Sequence, residues 1–479
     1  MGGYRVSRRS VLAAGLAGGA LASVGGVPAL AGKPGGGGGG AVAGNPLRIP
    51  ETVAADGMTL AARRTAVDLG SRTGSALTYN DGCPGPTIVA QAGTDPSITV
   101  TNGLDEPTTV HWHGLVVPTA VDGQPHEAFG AGESFAYTLP VRQRASLNFY
   151  HPHPHSRTAA QVALGLQGAF IVRDAEEAAL GLPSDRFEVP LVVRDANLDK
   201  KGTLTYNGRA SGFLGNLPLV NGVLDPYLDV DRAAYRFRLV NAANSRVFRL
   251  AFSDGRPMTL IGTDGGLLGQ AVDLAEITLG NAERLDLVVD LRQLSGPLQL
   301  VDRDSGWTLL DLRPTGVEVQ QTVPDLSGTL SVVEPLVGPT QPDRTFSFDG
   351  MNAINGVRYQ MGVTSFQVPR GQVERWRFVA NGNPPHPVHI HGASFQLVDR
   401  KGGRGQVFDW EKGWKDTFLM LDKESVDIFI RFDLAGRYLI HCHKLEHEDA
   451  GMMLDFEVTE GVSSQMVAGT SDGSHGGHG

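Results

Sequence analysis

The stretch His441-Cys442-His443-Lys444-Leu445-Glu446-His447-Glu448-Asp449-Ala450-Gly451-Met452 sets one thiolate, three imidazoles and one thioether within a dozen positions. Thiolate and thioether are soft donors and imidazole is a good copper ligand, so the set points to copper. In a β-strand successive side chains face opposite ways. Cys442 can then hold one metal while His441 and His443 reach another, and one short strand links two sites.

Ten of the fourteen histidines collect in four places: His111/His113, His151/His153, His386/His389/His391 and His441/His443/His447. Each H-x-H pair is predicted to put two imidazoles on one face of a strand, about 6–7 Å apart. Any one such pair has a plain structural reading as two core or exposed histidines. Four pairs with a cysteine between two of the histidines do not, and eight imidazoles suffice for a compact multinuclear copper cluster. The remaining set, His386, Cys442, His447 and Met452, matches the blue-copper electron-transfer site. Zinc has no redox use for this arrangement, and structural zinc rarely takes so many histidines. His126 and His155 stand near the pairs without matching them, and His475 and His478 lie in a polar Gly/Ser/His tail.

The rest of the chain reads as β-structure. Segments 97–101, 169–172, 191–194, 235–239 and 285–289 alternate or run with β-branched residues between Gly, Pro, Asn and Asp, as strands of sandwiches do. No long stretch keeps a helical period. The span from His111-Trp112-His113-Gly114 to His151-Pro152-His153 is echoed by the span from His389-Ile390-His391-Gly392 to His441-Cys442-His443, and Ser156 to Pro385 holds no histidine. Two end modules related by a repeat therefore flank a middle module without ligands. The boundaries expected are a first module over 46–177, a middle one over 178–337 and a third over 338–461.

With 479 residues, 41% hydrophobic and 19% charged, the chain can build more than one core, and 63 Gly and 28 Pro supply turns. Residues 1–31 carry Arg5, Arg8 and Arg9 before an apolar stretch and end in Ala29-Leu30-Ala31, the pattern of a cleavable export signal. Ser7-Arg8-Arg9-Ser10-Val11-Leu12 resembles the twin-arginine signal, which implies export after folding to a periplasmic, cell-surface or secreted destination. A Gly-rich segment over 32–45 and the tail over 462–479 read as disordered. No later segment is apolar enough for a membrane span. Losing the leader removes three basic and no acidic side chains, so the chain becomes more acidic than its full-length net charge of −10, which disfavours nucleic acid. Cys83 is the only other thiol. Pairing it with Cys442 would remove a copper ligand, so no disulfide is expected.

His-Trp-His-Gly from 111, Tyr-His-Pro-His-Pro-His from 150, His-Pro-Val-His-Ile-His-Gly from 386 and the stretch from His441 to Met452 together closely resemble the multicopper oxidases, the family of laccases, bilirubin oxidases and bacterial cuprous oxidases. The resemblance covers essentially all of the chain after the leader. It implies an all-β chain of three cupredoxin-like Greek-key β-sandwich domains, four copper ions, and reduction of O2 to water by electrons from a small reducing substrate. Carried over by position, type 1 copper takes His386, Cys442 and His447 with Met452 axial. Type 2 copper takes His111 and His389, and the type 3 pair takes His113, His151, His153, His391, His441 and His443. Electrons would pass from the type 1 site through Cys442 to His441 or His443. The family includes cell-division relatives that keep the fold and lose the ligands, and here none is missing. Asp122 and Glu448 match carboxylates that the family uses near the cluster for proton supply, with orientation of a histidine as the alternative role. Asp416 reads either as such an orienting acid or as a loop cap.

Cuprous oxidases of the family carry a Met-rich insertion over the type 1 copper. Here the residues before His386 are Gly382-Asn383-Pro384-Pro385, and the nine Met are dispersed. Soft thioethers are what would receive Cu(I). Phenols and aromatic amines are therefore the expected donors and Cu(I) the alternative, with Met453 as a residue that lines its approach. A copper-binding protein that consumes no O2 is the remaining reading.

Overall fold

The computed structural model describes residues 44–380 and 385–460. The leader, the tail, Gly382, Asn383, Pro384 and the Gly-rich segment as far as residue 43 lie outside the described residues. All five segments singled out above are strands, within Ser97–Asn102, Gly168–Arg173, Glu188–Leu198, Ala234–Asn241 and Arg284–Asp290. Asn45, assigned above to the disordered segment, instead joins the strand Asn45–Pro46, which pairs in parallel with Pro226–Arg232.

The strands form six sheets that pack in pairs as three sandwiches, each closed by one apolar core. In the first, a sheet ordered Thr73–Tyr79, Met58–Asp68, Ser97–Asn102 and Ser134–Thr138 faces one ordered Thr52–Ala54, Thr87–Gln91, Gly168–Arg173, Ser146–His151 and His111–His113. Leu60, Val100, Trp112, Tyr150 and Phe170 fill the space between. Residue burial along Ser97–Asn102 alternates as a half-buried strand requires. The middle sandwich buries Leu191, Phe237, Phe248, Leu287 and Leu300. The third buries Trp376, Phe378, Val388, Phe395 and Ile440. Each large apolar side chain so buried stabilises the fold by about 1.5–3 kcal/mol.

The first and third sandwiches repeat one local arrangement. His111–His113 runs antiparallel to Ser146–His151 with His111 opposite His151. His386–Ile390 runs antiparallel to Gly436–Cys442 with His389 opposite His441. Only His111 and His113 both lie in a strand, however. The other three strands stop at His151, Ile390 and Cys442, leaving His153, His391 and His443 beyond their ends. Pro152 has no N–H to continue a ladder, and Gly392 turns the chain at φ +78, whereas the His443 N–H still donates to the Pro387 carbonyl at 2.6 Å, in register with the pairing that ends at Cys442. The second histidine of each of these pairs therefore lies past its strand end, yet its ring stays beside the first, with centroids 6.1, 4.9 and 5.6 Å apart against 5.6 Å for His111 and His113.

The helix Leu445–Asp449 touches all three sandwiches. The Asp449 carboxylate accepts the Thr158 and Ala159 N–H groups at 3.1 and 3.0 Å, capping Thr158–Ala163 on the first. Glu446 accepts from Asn244 Nδ2 at 2.9 Å and from the Ser245 hydroxyl, both on the middle one.

Candidate metal centre

Two buried ligand sets meet on the strand that ends at Cys442. In the first, His386 Nδ1 and His447 Nδ1 stand 3.4 and 3.6 Å from Cys442 Sγ and 3.4 Å from each other. The centre of such a triangle lies about 2 Å from each corner, the length of a first-row metal bond to imidazole. Backbone bonds hold the set: the Cys442 N–H donates to the Met452 carbonyl at 3.1 Å and the Met452 N–H to the His447 carbonyl at 2.9 Å. All four side chains are buried. Burial pushes the Cys442 thiol up to about 12, so the thiolate needs a cation beside it. Burial and the Lys444 charge lower His386 to about 4 and His447 to about 2, which leaves neutral rings with lone pairs to offer.

The second set gathers His111, His113, His151, His153, His389, His391, His441 and His443, all buried. Rings from the first and third sandwiches interleave: His111 stacks on His391 with centroids 4.0 Å apart, and His113 on His389 at 3.7 Å. Acceptors around the rings fix their tautomers. His111 Nδ1 donates to the Asp122 carbonyl and His389 Nδ1 to the Asp416 carbonyl, both at 2.8 Å, and His151 Nδ1 to the Pro152 carbonyl at 2.9 Å. His391 Nδ1 donates to Asp122 Oδ2 at 2.8 Å. Each of these rings therefore turns a bare Nε2 inward. His441 Nδ1 faces Glu448 Oε2 at 3.2 Å and the Cys442 carbonyl at 3.3 Å.

The inward nitrogens fit metal and little else. His391 Nε2 and His441 Nε2 point at each other across 3.1 Å, each ring holding its proton on the far nitrogen. Burial and the His111 charge lower His391 to about 3, so its inward lone pair is free at neutral pH, and a cation beside the two facing nitrogens relieves their repulsion. His111 Nε2, His389 Nε2, His113 Nδ1 and His153 Nε2 are buried without a hydrogen-bond partner, and a buried polar atom left so is costly. Donor atoms of three triplets, His111/His389/His391, His153/His391/His441 and His111/His113/His151, each lie within 4.8 Å of one another. Eight imidazoles with no aspartate or glutamate pointing inward suit copper.

Three carboxylates hold the rings from behind. Asp122 faces His391 and, at 3.4 Å, His111 Nδ1. Glu448 has Oε1 3.3 Å from His153 Nδ1 and Oε2 3.2 Å from His441 Nδ1. Asp416 Oδ1 is 3.1 Å from His113 Nε2; of its two readings, histidine orientation is the one with a contact. Thr417, Gln124 and Arg284 were not singled out in the sequence. Thr417 follows Asp416 directly and donates to its carboxylate, and Gln124 Nε2 donates to Asp122 Oδ2 from two residues on, whereas Arg284 comes from a distant segment with no motif to announce it. His126 and His155 are exposed and outside both sets, and His155 packs beside Tyr359 with ring centroids 5.4 Å apart. Met453 does not line a surface approach: it is 1% exposed, packed with Tyr359 and Leu439, because strand pairing with His441 turns it inward.

A cavity of about 600 Å3 lined by Val116, Pro140, Gln143, Trp414 and Leu434 shares Gly114, Val116, Gly392 and Ala393 with a small pocket against His111, His389 and His391. The two share a wall beside the histidine cluster.

Multicopper oxidase family models match residues 61–177 and 334–462. The chain is 31% identical to the multicopper oxidase mco of Staphylococcus haemolyticus over 80% of its own length and 84% of that protein. It is 33% identical to the cell division protein FtsP of Sodalis glossinidius, over 79% and 84%. The crystal structure of a laccase from Pediococcus acidilactici superposes with a TM-score of 0.82 at 32% identity, covering 87% of this chain and 94% of the laccase. Fold, copper-fitting sites and relatives define an oxygen-dependent oxidoreductase built from cupredoxin-like sandwiches. The chain belongs to the multicopper oxidase family.

Proposed function

We propose that the protein couples four one-electron oxidations of a phenol or aromatic amine to the reduction of O2 to water, with four copper ions. The observation that carries this reading is the pair of buried ligand sets joined at Cys442, whose sulfur belongs to one set while the rings of its sequence neighbours His441 and His443 belong to the other. His386, Cys442, His447 and Met452 would hold type 1 copper, His111 and His389 type 2, and His113, His151, His153, His391, His441 and His443 the type 3 pair. Bound copper would supply one-electron redox chemistry at the first set and oxygen reduction at the second.

The chain's own residues set the conditions for that chemistry. Buried apolar packing excludes water from the Cys442 set. Glu448 keeps both oxygens short of a completed hydrogen bond, so it has lone pairs with which to take and pass a proton beside His153 and His441. Asp122 has one such oxygen, Oδ1 beside His111, its Oδ2 being bonded to His391. The cavity over Gly114 and Gly392 is the passage we assign to O2 and water.

Oxygen uptake by the copper-loaded protein, comparing specificity constants for a methoxyphenol and for Cu(I), tests the reading. Faster turnover of the phenol is expected. Preference for Cu(I) would favour a copper-detoxifying oxidase, a second reading that draws support from Met351 and Met361. These thioethers are 39% and 46% exposed on the segment whose Arg358 and Tyr359 bond to the Ala450 and Gly451 carbonyls just after His447. No uptake with either donor would leave a non-catalytic copper protein.

We further read the sandwiches as domains over 46–177, 178–337 and 338–461, a division that sheet membership supports except at Pro46, which pairs with Tyr227 in a sheet of the middle sandwich. Among the described residues no helix is long and apolar enough to cross a membrane. Export of the folded chain through the Arg8-Arg9 leader is expected to stop, with the leader still attached, when both arginines are replaced by lysine.

A further inference from the structure

Arg284 begins the strand Arg284–Asp290 of the middle sandwich, the part of the fold that contributes no histidine, and it is fully buried. All five of its N–H groups are used. Nε donates to the Leu147 carbonyl at 3.0 Å, on the strand that ends at His151. Nη1 donates to the Ala282 carbonyl at 2.9 Å and to Asp416 Oδ1 at 2.7 Å. Nη2 donates to the Asp264 carbonyl at 3.2 Å and to Asp416 Oδ2. One guanidinium thus ties three sandwiches together and grips Asp416 through both oxygens, a planar fork that a lysine cannot reproduce.

Asp416 passes this grip to the histidines. Its Oδ1 is 3.1 Å from His113 Nε2, and the Thr417 hydroxyl, which donates to the same Oδ1 at 2.9 Å, is 3.1 Å from that nitrogen. Both atoms facing Nε2 are acceptors, so His113 carries its proton there and turns Nδ1 inward. His111, His151, His389 and His391 do the reverse, bonding outward through Nδ1. The backbone carbonyl of Asp416 meanwhile fixes His389.

We propose that Arg284 is a positioning residue, through which the middle sandwich sets the tautomer and ring orientation of His113 by way of Asp416 and so governs retention of copper in the histidine cluster. The proposal rests on the ligand reading above. Removing the guanidinium should not open the seam, which has other clasps: Lys415 Nζ lies 2.8 Å from Asp264 Oδ2 and 3.3 Å from Glu283 Oε1, and the Gly265 N–H donates to the Trp414 carbonyl at 2.9 Å.

The test compares copper-loaded wild type, Arg284→Met and Arg284→Lys for copper per chain against a chelator, visible absorption of the Cys442 site and the electron paramagnetic resonance spectrum of type 2 copper. Arg284→Met is expected to keep the visible band, lose cluster copper about 10- to 100-fold more readily and show an altered type 2 spectrum, with Arg284→Lys falling between it and wild type. Wild-type copper retention and an unchanged type 2 spectrum in Arg284→Met would overturn the proposal. Should Arg284→Met also lose the visible band, Arg284→Lys decides. An altered type 2 spectrum under an intact band supports positioning, whereas a wild-type spectrum, or loss of the band here too, overturns it. A wild type without both copper signatures would instead sink the ligand reading itself.

Discussion

Six histidines of the cluster, His111, His113, His151, His389, His391 and His441, owe their tautomers to an oxygen behind the ring, and the oxygens around the cluster are the points at which single substitutions should act. Glu448→Gln keeps the size of the side chain but can no longer take up a proton as a carboxylate. Turnover is expected to fall roughly 10²- to 10⁴-fold with copper content unchanged; full copper with wild-type turnover in oxygen uptake assays would remove Glu448 from proton delivery. Cys442→Ser replaces a polarisable sulfur by a hard oxygen. The visible band should vanish and turnover with it, while copper analysis still finds the metal of the histidine cluster. Met452→Leu withdraws a weak thioether that favours oxidised copper, so a redox titration should find the type 1 potential raised.

Helix ends and strand ends carry the next level. Asp449 caps Thr158–Ala163 from another sandwich, so Asp449→Ala should cost about 1–2 kcal/mol. Asp449→Asn, which keeps an acceptor, should cost less; equal unfolding midpoints for the Ala variant and wild type would show that the cap does not hold the sandwiches together. Gly392 ends the strand His386–Ile390 at φ +78, and a Cβ there would meet the Tyr438 ring at 2.4 Å. Gly392→Ala therefore adds a clash to the ~1–2 kcal/mol of left-handed backbone strain, and its unfolding midpoint should lie below that of Asp449→Ala.

Over the molecule as a whole, copper and pH act on the same groups. His386 and His391 fall from an unfolded value of 6.5 to about 4 and about 3, chiefly through burial, so the unfolded chain takes up protons that the folded chain refuses. Their contribution to stability is complete above pH 6.5 and is lost as pH falls through 6.5 toward the folded values. Calorimetry of the copper-free protein should show a midpoint level above about pH 7 that drops below pH 6.5, whereas the copper-loaded protein, whose rings are held neutral by metal, should hold its midpoint further into acid. A copper-free midpoint flat down to pH 4 would contradict this. The cavity over the cluster gives a second test at this scale: Val116→Phe should raise KM for O2 several-fold while leaving KM for the reducing substrate unchanged.

The sequence by itself determined the β class, the duplication of the end modules and the two groups of His and Cys that come together, because strand periodicity, repeated H-x-H motifs and a Cys between two His are local patterns that survive in one dimension. It also pointed to Asp122 and Glu448, which lie beside histidine motifs. Only the tertiary structure decided which nitrogen each ring presents, that three of the four H-x-H pairs run past their strand ends, and that Met453 is buried. Those outcomes depend on acceptors and strand partners brought in from elsewhere in the chain. Arg284 is the clearest case. Nothing near it in sequence marks an arginine 132 residues from its carboxylate partner, and it reaches the site only because the histidine-free sandwich folds against the other two.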